Sequence, residues 1–272
     1  MVVRVESAAV QCRSLDLSHG RTRYLEAGAG PAVILLHGVG YALGADAWRA
    51  SLGGLAPDLR VLAPDFPGWG PGDQLELGYS FAYLTDFVRE FQDALGLQSA
   101  HVVGHSMGGW VASLLAYESP QRVGRLVLVA SGGMATRPLP AMSGWTPPGE
   151  QEIRASMSGL AGLGVDIEPL VKERVGLAGD PERAERFGRV MAHMTHPETR
   201  RRYHMARRLP HIPNRTLILW GTADAVNDIE LGRETERLLP HAELRVFDGA
   251  GHNVPVERPG EFNQAVLDFL LR

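Results

Sequence analysis

A run of six residues, Gly104-His105-Ser106-Met107-Gly108-Gly109, lies between two apolar segments of the chain. A strand is predicted at residues 100–103 before it, and an apolar helix at residues 110–117 after it. Small residues here allow the backbone to make a strained turn that lifts the serine hydroxyl clear of the sheet. With 32 glycines in the chain, a bare Gly-x-Ser-x-Gly pattern can arise by chance, so the strand–turn–helix context is what makes Ser106 the predicted nucleophile.

Similar apolar runs recur along the chain and alternate with segments that have helical spacing. The run at residues 32–36 is unbroken, which is typical of a strand buried on both faces. Further strands are predicted at residues 60–63, 126–129, 216–220 and 243–247, and an antiparallel pair at 8–12 and 22–26 opens the chain. A helix is predicted at residues 83–95, with Gly96 as its stop. This alternation predicts an α/β fold with a mostly parallel central sheet flanked by helices.

The alternation stops between residues 132 and 208, where no strand is predicted. The first part of this segment is rich in Pro, Gly and Met, and the second part is strongly charged. We interpret its charged residues as the exposed faces of short amphipathic helices: Glu173, Arg174, Arg183, Glu185, Arg186, Arg189, Arg200, Arg201 and Arg202. We therefore expect a core formed by residues 1–131 and 209–272, with a helical cap inserted at 132–208.

The amino-acid composition limits the kinds of partner that the protein is expected to bind and the compartment in which it is expected to work. The 272 residues are 44% hydrophobic, as expected for a globular protein with a sizeable core. A net charge of −4 gives no overall attraction to nucleic acid or to an anionic membrane, so we expect a small-molecule substrate. Cys12 is the single cysteine, which excludes an internal disulfide. Without a signal peptide or a segment of transmembrane length, the sequence predicts a soluble, cytoplasmic protein and leaves its oligomeric state open.

A serine hydroxyl is a weak nucleophile near neutral pH, so it needs a base, and the base needs an orienting acid. His252 follows the last predicted strand in the small-residue loop Gly249-Ala250-Gly251-His252 and is the predicted general base. Asp224 follows the strand before it and is the predicted acid, with Asp228 and Asp248 as alternatives. An acid after the strand at 126–129 is excluded, because residues 131–149 contain no Asp or Glu.

Acyl transfer also needs hydrogen-bond donors for the oxyanion. The backbone N–H of Met107, directly after the nucleophile, is one predicted donor. We expect the second to be the Val39 N–H, in the loop His37-Gly38-Val39-Gly40, with Gly38 and Gly40 beside it in the substrate site. His37 is expected to hold this loop. We find no phosphate-binding loop, dinucleotide fingerprint or metal-ligand cluster, so we predict no cofactor and no metal.

In motifs and in their order, the chain resembles the α/β-hydrolase fold superfamily over essentially its whole length. The resemblance is carried by His37-Gly38 at a strand end, by the order of elbow, acid and histidine, and by Asp65-Phe66-Pro67-Gly68-Trp69-Gly70, which is similar to the D-x-P-G-x-G loop of that family. It implies the α/β-hydrolase fold and a Ser-His-Asp triad that works through an acyl-enzyme. Related dehalogenases and epoxide hydrolases have aspartate at the elbow, where this chain has Ser106.

Within this superfamily, the loop starting at His37 and the following Gly44-Ala45-Asp46-Ala47-Trp48 are similar to those of the meta-cleavage-product hydrolases. Those enzymes break carbon–carbon bonds in vinylogous diketones. They typically carry a tryptophan after the catalytic histidine, often have asparagine before the nucleophile, and use a cap arginine. This chain has Asn253 and His105 at the first two positions. Asn253 is a candidate substrate contact, and Arg186 would match the cap arginine.

The first expectation is a serine hydrolase for small to medium, largely apolar carboxylic esters, a carboxylesterase. Its pocket would be lined by apolar cap residues, namely Met134, Leu139, Met142, Trp145 and Met157. The first alternative is a carbon–carbon bond hydrolase that uses Arg186 to hold a carboxylate. A second alternative, of another class, is a ligand receptor on a hydrolase scaffold, in which a bound or slowly hydrolysed ligand moves the cap and recruits a partner.

Overall fold

The computed structural model describes residues 10–74, 79–137 and 144–272. Within those ranges it contains a single eight-stranded sheet, in the order β1-β2-β4-β3-β5-β6-β7-β8. The first two strands run antiparallel to their neighbours, and all other neighbouring strands are parallel. The strands are β1 (Gln11–Leu17), β2 (Gly20–Ala27), β3 (Ala32–Leu36), β4 (Arg60–Pro64), β5 (Ala100–His105), β6 (Val123–Val129), β7 (Thr216–Gly221) and β8 (Ala242–Phe247).

Eleven α-helices lie in the described ranges, and none of them is long and apolar enough to cross a membrane. A short 3₁₀ turn at Gly44–Trp48 precedes the first. The helices are α1 (Arg49–Leu55), α2 (Phe81–Ala94), α3 (Met107–Glu118), α4 (Glu150–Ser156), α5 (Ser158–Gly162), α6 (Glu168–Ala178), α7 (Pro181–Thr195), α8 (Pro197–Tyr203), α9 (Ile229–Leu238), α10 (Val254–Glu257) and α11 (Pro259–Leu270).

Both faces of the sheet are buried because successive strand residues point to opposite sides. In β3, Ile34 and Leu36 contribute to the cluster that also holds α2, α3 and α9, whereas Val33 and Leu35 join the cluster of α1 and α11. The unbroken apolar run of β3 is thus shared between two layers of helices. The predicted mostly parallel sheet flanked by helices is confirmed.

The first strand differs from its predicted position. We expected it at residues 8–12, of which 8 and 9 lie outside the described residues, but β1 runs from Gln11 to Leu17. It is an edge strand whose first four residues are exposed, so its sequence lacks a strong apolar signal. Pairing with β2, from Gln11 opposite Glu26 to Leu17 opposite Gly20, sets its length instead.

Helices α4 to α8 lie between β6 and β7, where the sequence predicted a helical segment. We call the described residues 144–208 the helical segment. Its α4, α5 and α6 share a small apolar cluster, while α7 packs on the larger cluster beside the sheet.

Two arginines of the helical segment are buried, which corrects their interpretation as exposed helix faces. Arg174 is 0% exposed, and its Nη2 lies 2.7 Å from Asp46 Oδ2, a carboxylate that also holds Arg23 at 2.7 Å. Arg200 is 7% exposed and packs its guanidinium 5.8 Å from the ring centre of Trp110. The charged sequence pattern predicted the wrong environment for these two arginines because their carboxylate and aromatic partners, Asp46 and Trp110, belong to distant parts of the chain.

Candidate active site

Ser106 stands on a sharp turn between β5 and α3. Its φ of +53° and ψ of −113° lie outside the regions that a side chain prefers. The turn is held by the Ser106 N–H, which donates to the Val129 carbonyl at 2.9 Å, and by the Gly132 N–H, which donates to the Ser106 carbonyl at 2.8 Å. Gly108 is required because a Cβ there would overlap the Leu36 carbonyl of β3. The predicted elbow geometry is therefore present.

The Met107 N–H begins helix α3, directly after the elbow. The first N–H groups of an α-helix have no acceptor within the helix, and they carry the positive end of its dipole. Met107 lines the same cavity as Ser106. Its N–H is thus suited to bind an oxygen that becomes negatively charged beside Ser106.

His37 controls the orientation of the loop that carries Val39. Its Nδ1 donates to the Gly38 carbonyl at 2.7 Å, and its Nε2 accepts the Phe66 N–H at 3.0 Å. Burial lowers the pKa of His37 to about 4, so the ring is neutral and one tautomer satisfies both bonds. In a trans peptide the N–H and C=O point in opposite directions, so this bond turns the Val39 N–H away from His37.

The loops after β7 and β8 bring Asp224 and His252 together. His252 Nδ1 lies 2.8 Å from Asp224 Oδ2, and the Asp224 side chain is 0% exposed. Its other oxygen accepts the N–H groups of Val226 at 2.8 Å and Asn227 at 2.9 Å. Burial alone would raise the pKa of Asp224, but the contact with His252 and these N–H donors outweigh it and keep the pKa below its usual value. The carboxylate is thus ionised and fixed against the imidazole.

The two rival acids have other partners. Asp228 accepts the Glu230 N–H at 2.9 Å and caps the N-terminus of α9. Asp248 accepts the Thr222 hydroxyl at 3.2 Å. In the part of the chain that the structure describes, Asp224 is the carboxylate bonded to His252.

The backbone of His252 is held on both sides. Glu257, at the end of α10, accepts the Gly251 N–H at 2.6 Å and the Asn253 N–H at 2.9 Å. His105 Nε2 donates to the His252 carbonyl at 2.9 Å, and the two rings lie 4.8 Å apart. Burial, and then the nearby His252, lower the pKa of His105 to about 3, so His105 is neutral. His105, the residue before Ser106, thus links the turn that carries Ser106 to the loop that carries His252.

Ser106 and His252 open into one cavity of about 400 Å³. The predicted Val39, Gly38, Gly40 and Asn253 also line it. Most of its other lining is apolar and includes residues that the sequence did not indicate: Leu43, Phe81, Trp110, Met194 and Val226. Four polar residues were missed as well, namely Arg137, Ser156, Arg200 and Asn227.

Two predicted substrate-binding residues lie elsewhere. Trp145 packs against the rings of Tyr41, at 5.6 Å, and Phe187, at 4.8 Å. Arg186 pairs with Glu182, one turn earlier on α7. Neither residue belongs to the described lining of the cavity. The Trp145 ring packs against other aromatic rings, and the Arg186 guanidinium pairs with a carboxylate.

The methionines and the leucine predicted to line the pocket divide into two groups. Met134 and Met157 are buried in apolar clusters and are not among the described lining residues of the cavity. Met142 and Leu139 lie outside the described residues. The apolar wall of the cavity therefore comes mainly from other residues than those predicted.

Arg200 places a positive charge in the cavity wall, and no carboxylate among the described residues pairs with it. Its Nη1 donates to the Ala135 carbonyl at 3.0 Å, and its buried Nε has no hydrogen-bond partner among the described residues. Among those same residues no carboxylate lies within ion-pair distance of its guanidinium, and burial lowers its pKa. Arg137, which is exposed, lines the same cavity. A buried cation of this kind has unused capacity to bind an anion.

Comparison with known proteins assigns this chain to a family. A sequence profile of the alpha/beta hydrolase family matches residues 33–265. The chain belongs to the alpha/beta hydrolase family. It is 30% identical over 281 residues to the 2-hydroxy-6-oxo-6-phenylhexa-2,4-dienoate hydrolase of Burkholderia cepacia, with 97% of this chain and 96% of that relative covered. Family membership makes the protein a hydrolase and confirms the predicted α/β-hydrolase fold.

Solved structures of other alpha/beta hydrolases agree. The meta-cleavage product hydrolase of Pseudomonas fluorescens IP01 is similar with a TM-score of 0.80 and 29% identity, over 94% of this chain and 96% of that one. A putative lipase from Acinetobacter baumannii AYE has a TM-score of 0.75 and 25% identity, over 96% and 91% of the two chains. The predicted resemblance to meta-cleavage-product hydrolases is confirmed.

Proposed function

We propose that this alpha/beta hydrolase cleaves a carbon–carbon bond beside a carbonyl group, in a conjugated substrate that carries a carboxylate. This is the alternative expectation from the sequence, and two findings support it over ester hydrolysis. Relatives named for dienoate and meta-cleavage product hydrolysis match over nearly the full length of both chains. The observation that carries the proposal is Arg200, a cation without a carboxylate partner among the described residues, in the cavity of Ser106 and His252.

The proposed reaction starts with proton transfer. His252 removes the Ser106 hydroxyl proton while the oxygen attacks the substrate carbonyl carbon. Asp224, 2.8 Å from His252 Nδ1, keeps the other ring nitrogen free to accept that proton and stabilises the imidazolium that forms. The N–H groups of Met107 and Val39 bind the oxyanion of the tetrahedral intermediate.

Collapse of this intermediate breaks the carbon–carbon bond and leaves the acyl group on Ser106. The departing carbon takes the electron pair, which is a difficult step unless conjugation spreads the charge, so the substrate needs a vinylogous system. The fragment gains the proton held by His252. Water then attacks the acyl group while His252 accepts one water proton, and Ser106 recovers a proton when the acid leaves. The net change is addition of one water across the broken bond.

The cavity wall supports the proposed substrate class. A carboxylate on the substrate would pair with Arg200, whose burial strengthens the interaction, and with the more exposed Arg137. The apolar side chains of Phe81, Trp110 and Met194 suit the hydrocarbon part. Arg186, our first candidate for the carboxylate contact, is replaced in this role by Arg200.

The helical segment contributes to this cavity through Ser156, Met194 and Arg200. We propose that it belongs to a cap at residues 132–208, placed over a catalytic core of residues 1–131 and 209–272. In this division the core supplies the reacting groups and the cap supplies contacts to the substrate. The proposed partner is a small molecule.

Ester hydrolysis is the second candidate. The same serine, histidine and oxyanion donors would cleave an ester, and the pairing of Arg186 with Glu182 favours this candidate, because it removes the cap arginine that the meta-cleavage family pattern uses. The mostly apolar lining of the cavity also suits a neutral ester.

Turnover of two substrate types tests the proposal. We expect the purified enzyme to have a higher kcat/KM for a ring-fission dienoate than for p-nitrophenyl esters. Replacing Arg200→Gln should raise KM for the dienoate about tenfold or more and change ester turnover much less. Arg201→Gln, next to it on α8 but exposed and paired with Glu198, is the matched control. Faster ester turnover, with equal effects of Arg200→Gln on both substrates, would select the esterase, and no turnover of either would favour a receptor.

A further inference from the structure

A second cavity, of about 290 Å³, lies beside the first. The two share part of their walls, and the shared residues are Leu43, Ala47, His105, Ser156 and Asn253. Ser106 and His252 line the first cavity, whereas the described lining of the second contains neither. We call the second cavity the side chamber.

The side chamber is formed where the helical segment meets the core. Gly159 of α5 approaches Val256 of α10 so closely that a Cβ on the glycine would overlap the valine side chain. Ala155 and Leu160 line the chamber from the helical segment, and Trp48 lines it from the core. The chamber thus depends on contact between the two regions.

The lining of the side chamber is suited to an apolar group. Trp48, Leu160, Pro255 and Val256 provide its apolar wall. Glu257 is the acid among its described lining residues, and both of its carboxylate oxygens already accept backbone N–H groups next to His252. A charged ligand group would therefore find little compensation there, whereas a hydrocarbon group would be removed from water at no such cost.

We propose that the side chamber binds the apolar end of the substrate, and that Asn253 sets how far a substituent reaches into it. This inference rests on the proposed nucleophile and adds the shape of the substrate: a carboxylate near Arg200 and an extended apolar substituent. Asn253 follows His252 directly and borders both cavities. Its side chain is short, so a larger side chain at this position would fill the boundary between the first cavity and the chamber.

The length of an alkyl group tests this inference without requiring either substrate class. Ethyl, butyl and octyl fluorophosphonates phosphonylate a serine nucleophile: Ser106 oxygen bonds to phosphorus, fluoride leaves, and His252 takes the hydroxyl proton. In the native protein we expect the rate of Ser106 labelling, kinact/KI, to rise with chain length, because the longer chain gains apolar contacts in the chamber. Asn253→Trp should lower the rate for the octyl probe about tenfold or more and change the ethyl probe much less.

A second variant fills the chamber from its far wall. Val256 lines the side chamber and is absent from the described lining of the first cavity, so Val256→Phe should also reduce octyl labelling selectively. Leu163→Phe, which adds an aromatic ring at an exposed position outside both described linings, is the matched control and should match the native rates. Circular dichroism of each variant checks its fold.

The outcomes separate the two proposals. Labelling of Ser106 that does not depend on chain length, or that responds equally to Asn253→Trp with all probes, overturns the side chamber and leaves the nucleophile in place. Absence of labelling at Ser106 with every probe overturns the proposed function itself. If Asn253→Trp does not fold, the chain-length response of Val256→Phe decides.

Discussion

The sheet core and the helical segment meet at the same cavity but contribute different things to it. Ser106, Asp224 and His252 follow β5, β7 and β8, so the carboxyl ends of parallel strands bring them together at one edge of the sheet. The helical segment adds Arg200 and Met194 to the wall. Backbone topology thus fixes the proposed reacting groups, whereas the residues that would select a substrate depend on how side chains of separate helices pack.

Ion pairs also join the sheet core and the helical segment. Asp46, in the 3₁₀ turn after the loop that carries Val39, contacts Arg23 and Arg49 of the core and Arg174 of the helical segment. All three contacts are at 2.7 Å, and the Asp46 side chain is completely buried. One carboxylate therefore ties the helical segment to the core, close to the proposed reacting groups.

The largest expected effect tests whether the core alone supplies the chemistry. Asp224→Asn keeps the size of the side chain but favours the wrong tautomer of His252, a change that lowers kcat about 10⁴-fold in serine proteases. We expect a loss of similar size, with the circular dichroism spectrum retained. Asp228→Asn, which affects the cap of α9, is the matched control and should keep most activity. If Asp228→Asn were the inactive variant, Asp224 would not be the acid.

The next effect concerns the link between the two regions. Asp46→Asn leaves the fully buried Arg174 with only the more distant carboxylate of Glu173, at 3.7 Å, so we expect the free energy of unfolding to fall by about 3–5 kcal/mol in urea titrations. The double variant with Arg174→Met should lose less than the sum of the single variants. Asp86→Asn, in an exposed pair with Arg89, is the control and should cost less than about 1 kcal/mol. Additive losses would show that Asp46 and Arg174 act independently.

A smaller effect should appear as pH falls, and it belongs to the core. Burial lowers the pKa of His37 to about 4 and of His105 to about 3, against about 6.5 in the unfolded chain. The unfolded state therefore binds protons first, and stability is lost as pH falls from about 6.5 towards these values. At pH 5 each histidine should cost about 2 kcal/mol relative to pH 7.5.

Urea unfolding at the two pH values measures this loss, and His105→Asn should reduce it by about 2 kcal/mol, the contribution of His105. His241→Gln, at an exposed position, serves as the control and should leave the loss unchanged. An equal loss in native protein and His105→Asn would show that His105 is already protonated or solvated in the folded state.

The difference between the sheet core and the helical segment also explains which residues could be predicted from the sequence. Ser106 and His252 are recognisable because each lies in a glycine-rich turn just after a strand, so local backbone requirements mark them. Asp224 follows from its place after β7. For these three residues, sequence neighbours and strand order carry the information.

Residues that act through distant contacts could not be found in this way. In the sequence, Arg200 cannot be distinguished from the surface arginines around it. Its buried position depends on contacts with Ala135 and Trp110, which are both far away in the chain. Glu257 resembles an ordinary helix-end acid, yet it holds the backbone on both sides of His252. Arg186 lies where the family pattern predicts a cap arginine, but its guanidinium forms an ion pair with Glu182, one turn earlier on α7.

Chemical labelling tests the proposed nucleophile most directly. The native protein is treated with a fluorophosphonate, digested and analysed by mass spectrometry, while residual turnover is followed. We expect one adduct, on the peptide that contains Ser106, with loss of activity in proportion to labelling and no adduct in Ser106→Ala. An adduct on another residue, or full activity in Ser106→Ala, would contradict the claim that the core of this hydrolase acts through Ser106.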